Sequence, residues 1–252
     1  MEAIKSVMIW AGILILILIW LPLLAVRRLI DRDPAHYHTG RLFRRLGWAI
    51  SRVNPNWVVA VSGNTRLNDR QPYVMVCNHL SHADIPVISN LPWEMKWVAK
   101  KELFDLPVVG WMMKLAGDIS VDRRAANRKE ATFSQARFYL NNNCSVIFFP
   151  EGTRSKSSKL KTFTHGAFEL AIQEQLPILP LVLDGTQNTL PKESWKFGYA
   201  KNIRLKVLDP IDTTGMKRNN ISNLIKKTRK QILTQLSEWR EAPVADIDGQ
   251  PH

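Results

Sequence analysis

Twenty consecutive residues near the amino terminus, Val7–Val26 (VMIWAGILILILIWLPLLAV), carry no charge. About twenty apolar residues are enough for a helix to cross the hydrocarbon layer of a bilayer. Trp10 and Trp20 suit the interfacial zones near the ends of such a helix. A cleaved signal peptide would need a shorter apolar core and a small-residue cleavage site. Here the run passes directly into Arg27 and Arg28, which argues against cleavage. Pro22 either kinks the helix or ends it early, and an early end would leave a helix lying in one leaflet. Only Lys5 is basic on the amino side, whereas Arg27, Arg28, Arg32, Arg41, Arg44 and Arg45 follow the run. The positive-inside bias therefore puts the rest of the chain, with any catalytic domain, on the cytoplasmic face.

The chain has 35 basic and 22 acidic side chains, a formal net charge of +13. Such an excess calls for an anionic partner: phospholipid headgroups, nucleic acid, or an acidic substrate or carrier. Membrane attachment accounts for part of it, so a nucleic-acid partner is not expected. The two cysteines, Cys77 and Cys144, sit against apolar runs and read as buried thiols rather than a disulfide framework.

Beyond the apolar run, residues 37–53 repeat apolar residues near helical spacing with arginines between them. This is either a basic helix on an anionic membrane surface or a helix packed on the domain. NPNWVVAVSGN reads as a short strand between turns. Four further β-rich runs follow: YVMVC (73–77), SVIFF (145–149), PILPLVL (177–183) and IRLKVL (203–208). Helical patterns over 83–90, 106–116, 124–142 and 164–175 lie among them. Alternating strands and helices predict an α/β domain with a mixed, largely parallel sheet flanked by helices. Ile221, Leu224, Ile225, Thr228, Ile232, Leu236 and Trp239 form one stripe of a last amphipathic helix. The predicted organisation is a membrane helix over 1–27, a basic amphipathic connector with the first strand over 28–70, a catalytic α/β core over 71–215, the C-terminal helix over 216–241, and a frayed tail over 242–252.

Ligands of open α/β sheets gather beyond the carboxyl ends of strands, and polar clusters stand at those places here. The first is Asn78-His79-Leu80-Ser81-His82-Ala83-Asp84. A turn into a helix after His79 would bring Asp84 back to its imidazole, fix the tautomer and leave Nε2 as a base toward an alcohol. The same residues also suit a plain helix start, with Asp84 on the first turn. Zinc is disfavoured: Cys77, His79 and His82 lack the spacing of a ligand set, and no Cys-x-x-Cys or His-Glu-x-x-His completes one. The second cluster ends GDISVDRR, and the third is FPEGTRS. Arg123 and Arg154, converging with Lys101 on the His79 face, would make a phosphate site. Gly152 would allow close backbone approach, and Glu151 would accept from a substrate hydroxyl or pair with an arginine. There is no Gly-x-Ser-x-Gly elbow and no P-loop. In an acyl transfer the nucleophile would then be the substrate's own hydroxyl.

Four blocks in order resemble the lysophosphatidic acid acyltransferase family of glycerolipid synthesis: NHLSHAD, KKELFDLPVVGWMMKLAGDISVDRR, FFPEGTRS and LPILPLVLDGT, covering residues 73–186. Departures are Thr164-His165, where a lysine is common before Gly166, and Leu176, where valine is frequent. The resemblance implies a membrane-bound enzyme moving a fatty acyl group from acyl-CoA or acyl carrier protein, as co-substrate, to the 2-hydroxyl of 1-acylglycerol 3-phosphate. No cofactor and no metal is implied. It makes His79 and Asp84 catalytic, gives Lys101, Arg123, Glu151, Gly152, Thr153 and Arg154 the acceptor's phosphoglycerol, and associates the fourth block with the acyl chain or donor. Alternatives are an acyltransferase for another lyso-lipid, such as a lyso-ornithine lipid, a metal-assisted hydrolase using Cys77, His79, His82 and Asp84, or a non-enzymatic basic membrane adaptor.

Overall fold

A computed structural model describes residues 2–68, 70–155, 157–189, 194–198 and 202–250. The apolar run becomes helix α1, Glu2–Ile30, which continues through Pro22 rather than stopping there. It is long and apolar enough to cross a membrane. Leu14, Ile15, Leu18 and Ile19 are among its outward-facing side chains. Its other face, with Leu24 at the centre, packs on Leu46 and Met112 and on the partly buried Leu42, Phe43 and Val109.

Leu42, Phe43 and Leu46 lie on α2, Tyr37–Val53. Its apolar stripe packs on the protein, as the second reading of this basic helix expected, while Arg45 and Arg52 stay outside. Arg44, however, is buried. It makes internal ion pairs and so drops out of the arginines counted toward membrane orientation.

Strand β1, Val59–Gly63, is followed by β2 (Val74–Cys77), α3 (Asp84–Ile88), β3 (Met95–Lys100), α4 (Lys101–Phe104) and α5 (Val109–Ala116). Then come β4 (Ile119–Val121), α6 (Arg128–Asn141), β5 (Ser145–Phe148), α7 (Gly166–Glu174), β6 (Ile178–Asp184), β7 (Ile203–Val207), α8 (Ile221–Arg240) and α9 (Val244–Ile247). The seven strands make one sheet in the order β1-β7-β6-β2-β5-β3-β4. All neighbours are parallel except β6 and β7. Since β1 pairs with β7 over Val59↔Ile203 to Gly63↔Val207, the first strand belongs to the core sheet and not to a connector ending at residue 70.

The middle strands β2 and β6 are buried along their whole length, as strands covered on both faces must be. One face carries Met75, Val87, Ile88, Met95 and Leu181, beneath α3. The other carries Val74, Val76, Phe168, Leu224 and Ile232, beneath α6, α7 and α8. The predicted stripe of α8 is the buried one, with Trp239 partly covered at its end. Pro180 is tolerated inside β6 because the ladder with β7 begins one residue later, at Leu181↔Val207.

The tail does not fray as expected. Ile247 is buried, the Leu160 N–H donates to the Ile247 carbonyl (2.8 Å), and Asp248 pairs with Arg229. Residues 251–252 of the expected tail, and Met1 of the expected membrane helix, lie outside the described residues.

Candidate active site

Because β2, β3, β4, β5 and β6 run parallel, their carboxyl ends share one edge, and the polar clusters meet there. The turn after β2 is released by Asn78. Its amide nitrogen donates to the Leu183 carbonyl (2.8 Å), and its amide oxygen accepts from the Leu183 N–H (2.8 Å). A side chain thus satisfies the neighbouring strand, and the backbone is free to turn away from the sheet.

His79 follows. Its N–H donates to Glu151 Oε1 (2.7 Å) and its carbonyl accepts from the Ser155 N–H (2.9 Å). Its imidazole Nδ1 lies 2.7 Å from Asp84 Oδ2. Asp84, fully buried at the start of α3, also accepts the Leu80 and Ser81 N–H groups on that oxygen, at 2.8 and 3.1 Å. A carboxylate held this way accepts Nδ1–H and leaves the basic lone pair on Nε2. Among the described residues Nε2 makes no hydrogen bond, and the His79 side chain keeps 18% of its surface exposed. The ring is further fixed by stacking on Phe149 (centroids 4.1 Å apart, planes at 21°), which packs on Trp97 at 5.9 Å. Phe149 was read from sequence only as the end of an apolar run, so this stacking partner was missed.

Glu151 departs from both readings offered for it. It is buried, and its two oxygens accept backbone N–H groups, from His79 at 2.7 Å and from Lys161 at 3.0 Å. Among the described residues it pairs with no arginine; it ties the His79 turn to Lys161, ten residues further along the chain. Burial pushes its carboxyl above the usual range, against the two backbone hydrogen bonds.

Gly152 has φ 71°, and a Cβ there would meet nothing within 4 Å, so the turn needs its left-handed backbone and is open above it. Arg123 Nη2 donates to the Gly152 carbonyl (2.7 Å). Thr153 Oγ accepts from the Lys161 ammonium. Arg154 is half-buried and makes no hydrogen bond or ion pair among the described residues; partial burial of the His82 ring first, then the Arg154 charge, disfavours the His82 imidazolium. Lys101 falls short of full convergence: its ammonium is spent on Asp122 Oδ2 at 3.3 Å, at the end of the adjacent strand.

His82 is exposed on the turn. Cys77 is fully buried, and burial first, then the Asp84 and Glu151 charges, push its thiol well up; burial likewise pushes Cys144 to about 12. Neither is available as a thiolate ligand or nucleophile. Among the described residues no group of three or more His, Cys, Asp or Glu side chains is placed to hold a metal ion. Alkylating reagents are accordingly expected to leave the native protein's activity intact. Mass spectrometry should find both thiols unmodified until denaturant is added; rapid inactivation with Cys77 labelled would contradict this.

A largely parallel sheet thus carries a His–Asp pair beside a cationic turn, and comparison with known proteins gives the chain its family. The family profile described as Acyltransferase matches residues 58–184. The chain is 33% identical over 182 residues to the mouse 1-acyl-sn-glycerol-3-phosphate acyltransferase alpha, covering 71% of this chain and 64% of that protein. It therefore spans somewhat under two thirds of that relative's length. With the coconut 1-acyl-sn-glycerol-3-phosphate acyltransferase it shares 32% identity over 242 residues, 95% of this chain and 74% of the other. The crystal structure of the 1-acyl-sn-glycerophosphate acyltransferase from Thermotoga maritima superposes with a TM-score of 0.78 at 23% identity, covering 95% and 96% of the two chains, which is a likeness of fold. The chain belongs to the acyltransferase family whose members include these 1-acyl-sn-glycerol-3-phosphate acyltransferases.

Proposed function

We propose that this protein is a membrane-bound O-acyltransferase that moves a fatty acyl group from an acyl-CoA or acyl-carrier-protein thioester to the 2-hydroxyl of 1-acylglycerol 3-phosphate, giving phosphatidic acid. The observation that carries this reading is the 2.7 Å contact of His79 Nδ1 with Asp84, with Nε2 open on the loop that is tied to the turn carrying Arg154 and holding Arg123. The names of the relatives supply the acceptor class.

In this reading His79 Nε2 takes the proton of the acceptor's hydroxyl as its oxygen attacks the thioester carbonyl. The C–O bond forms, the C–S bond breaks, and the thiolate leaves; the imidazolium returns the proton to it. Asp84 stabilises the transient imidazolium and holds its tautomer. Arg123 and Arg154 hold the acceptor's phosphate, with Gly152 and Thr153 shaping the turn between them. Lys101, at the start of α4 and paired with Asp122, lends its charge at the edge of the site, and Glu151 acts as a brace between loops. Helix α1 anchors the domain on the cytoplasmic face, where lyso-lipid enters from the bilayer.

The test is an acceptor panel with labelled acyl-CoA and acyl carrier protein. Incorporation into 1-acylglycerol 3-phosphate is expected to exceed that into other lyso-lipids. Arg154→Ala should raise the KM for this acceptor about tenfold with little change in donor KM, the mark of a lost phosphate contact. Equal turnover of phosphate-free 1-acylglycerol would refute the reading.

A further inference from the structure

Lys161 stands outside the motif that carries Gly152, Thr153 and Arg154, in a loop that could have left it to solvent. It is instead locked at both of its backbone polar groups by buried charged side chains. Its N–H donates to Glu151 Oε2 (3.0 Å), and its carbonyl accepts from Arg229 Nε at 3.4 Å. Arg229, buried on α8, also donates to the Leu160 carbonyl (2.8 Å) and is anchored by Asp248 Oδ2 at 2.8 Å. Residues far apart in the chain thus converge to fix one loop position. A long surface lysine needs no such support to stay soluble.

The side chain is directed with equal care. Its ammonium rests on the Oγ of Thr153, the residue between Arg154 and the Gly152 whose carbonyl Arg123 holds. Among the described residues none of Arg123, Arg154 and Lys161 forms an ion pair with a carboxylate. The carboxyl group within the turn, Glu151, is turned inward and spends both oxygens on backbone N–H groups. Two cations bound at successive residues, Gly152 and Thr153, with a third carried by the next residue, Arg154, repel one another unless a multivalent anion stands among them. Lysine suits this place, since its ammonium acts as a rotatable point charge on a phosphate whose orientation the guanidinium forks set.

We propose that Lys161 is an acceptor-binding residue: a third cation of the phosphate grip, recognising the phosphomonoester of the lyso-lipid, and held in place by Glu151 and by the α8 arginine that the C-terminal tail anchors. This rests on the functional reading above and adds a residue to its site.

The full-length protein in mixed micelles serves for the test. Lys161→Gln keeps both backbone clamps, so it is expected to fold with an unchanged melting temperature. Its KM for 1-acylglycerol 3-phosphate should rise roughly tenfold, with kcat and donor KM within twofold of the parent, as for loss of one charge-assisted contact. Lys161→Arg should recover most of the loss. With phosphate-free 1-acylglycerol as acceptor, parent and Lys161→Gln should perform equally. An acceptor KM within twofold of the parent, or an equal defect with the phosphate-free acceptor, overturns the assignment. Arg154→Ala measured alongside separates the two failures. If it raises the acceptor KM while Lys161→Gln does not, only Lys161 is misassigned. If the parent shows no turnover of 1-acylglycerol 3-phosphate, the functional reading falls and the assignment with it.

Discussion

Replacing His79 with alanine is expected to lower kcat by roughly a hundredfold to ten-thousandfold, the usual size of a lost general base. The effect should fall on turnover, because the cations around Gly152–Arg154 lie on another loop and do not depend on the imidazole. The fold should survive. The turn at position 79 is held through its backbone, by Glu151 and Ser155, and both bonds persist without the ring. The side chain contributes one hydrogen bond to Asp84 and a stack on Phe149. Asp84→Asn should give a smaller or comparable loss of kcat by weakening the tautomer and the imidazolium. It should also lower stability, because the Leu80 and Ser81 N–H groups lose a charged acceptor. Initial rates at saturating donor and acceptor, with circular dichroism as a check on folding, measure all of this. A His79→Ala protein that retains more than about a tenth of the parent kcat would remove the general base from the mechanism.

The dyad could be read from the chain because it is local. His79 and Asp84 stand five positions apart, and a turn into a helix is enough to join them. The long apolar run, the strand-like runs and the stripe of α8 could be read because each has its own periodicity. What escaped depends on pairing across the sheet. β3 was missed because Glu94, just before it, and Lys96, within it, interrupt the hydrophobic pattern, yet both are buried. The role of Glu151 escaped because backbone N–H groups leave no trace in a sequence, whereas nearby arginines do. Arg44 looked like its neighbours on a basic helix, and only its packing beneath β3 and β4 sets it apart. The tail seemed expendable because Asp248 gives no local hint that Arg229, on α8, needs it. Short-range chemistry is written in spacing; the partners of a buried charge are written in topology.

Arg44 carries the largest expected effect on stability. Its guanidinium donates to both oxygens of Asp118 (2.8 and 2.9 Å) and lies 3.6 Å from Glu94. Glu94 also pairs with Lys96 at 3.1 Å, and Lys96 donates to the Ala116 carbonyl at 2.7 Å. Asp118 in turn accepts the Trp97 N–H at 3.0 Å. Two cations and two carboxylates therefore balance in the interior. They bind α2 to β3 and to the segment entering β4, and helix approach is close enough that a Cβ on Gly40 would lie 1.9 Å from Glu94 Oε1. Arg44→Met removes one cation and strands a carboxylate, which should cost about 3–5 kcal/mol of unfolding free energy. The sign with pH follows from Glu94, which burial already holds above the usual carboxylate range against the pull of Lys96 and Arg44. A carboxyl with a raised folded-state pKa binds its proton more tightly in the folded chain, so protonation favours folding. Losing Arg44 raises that pKa further, and the deficit should be largest near neutrality and shrink as pH falls toward the carboxylate range. Arg44→Met combined with Asp118→Asn should recover much of the loss, because the amide oxygen still accepts the Trp97 N–H while the net buried charge returns to zero. Denaturant titrations of the detergent-solubilised protein at two pH values measure both effects. A deficit below about 1 kcal/mol, the range of exposed pairs, would show that water reaches these charges and that they do not staple α2 to the sheet.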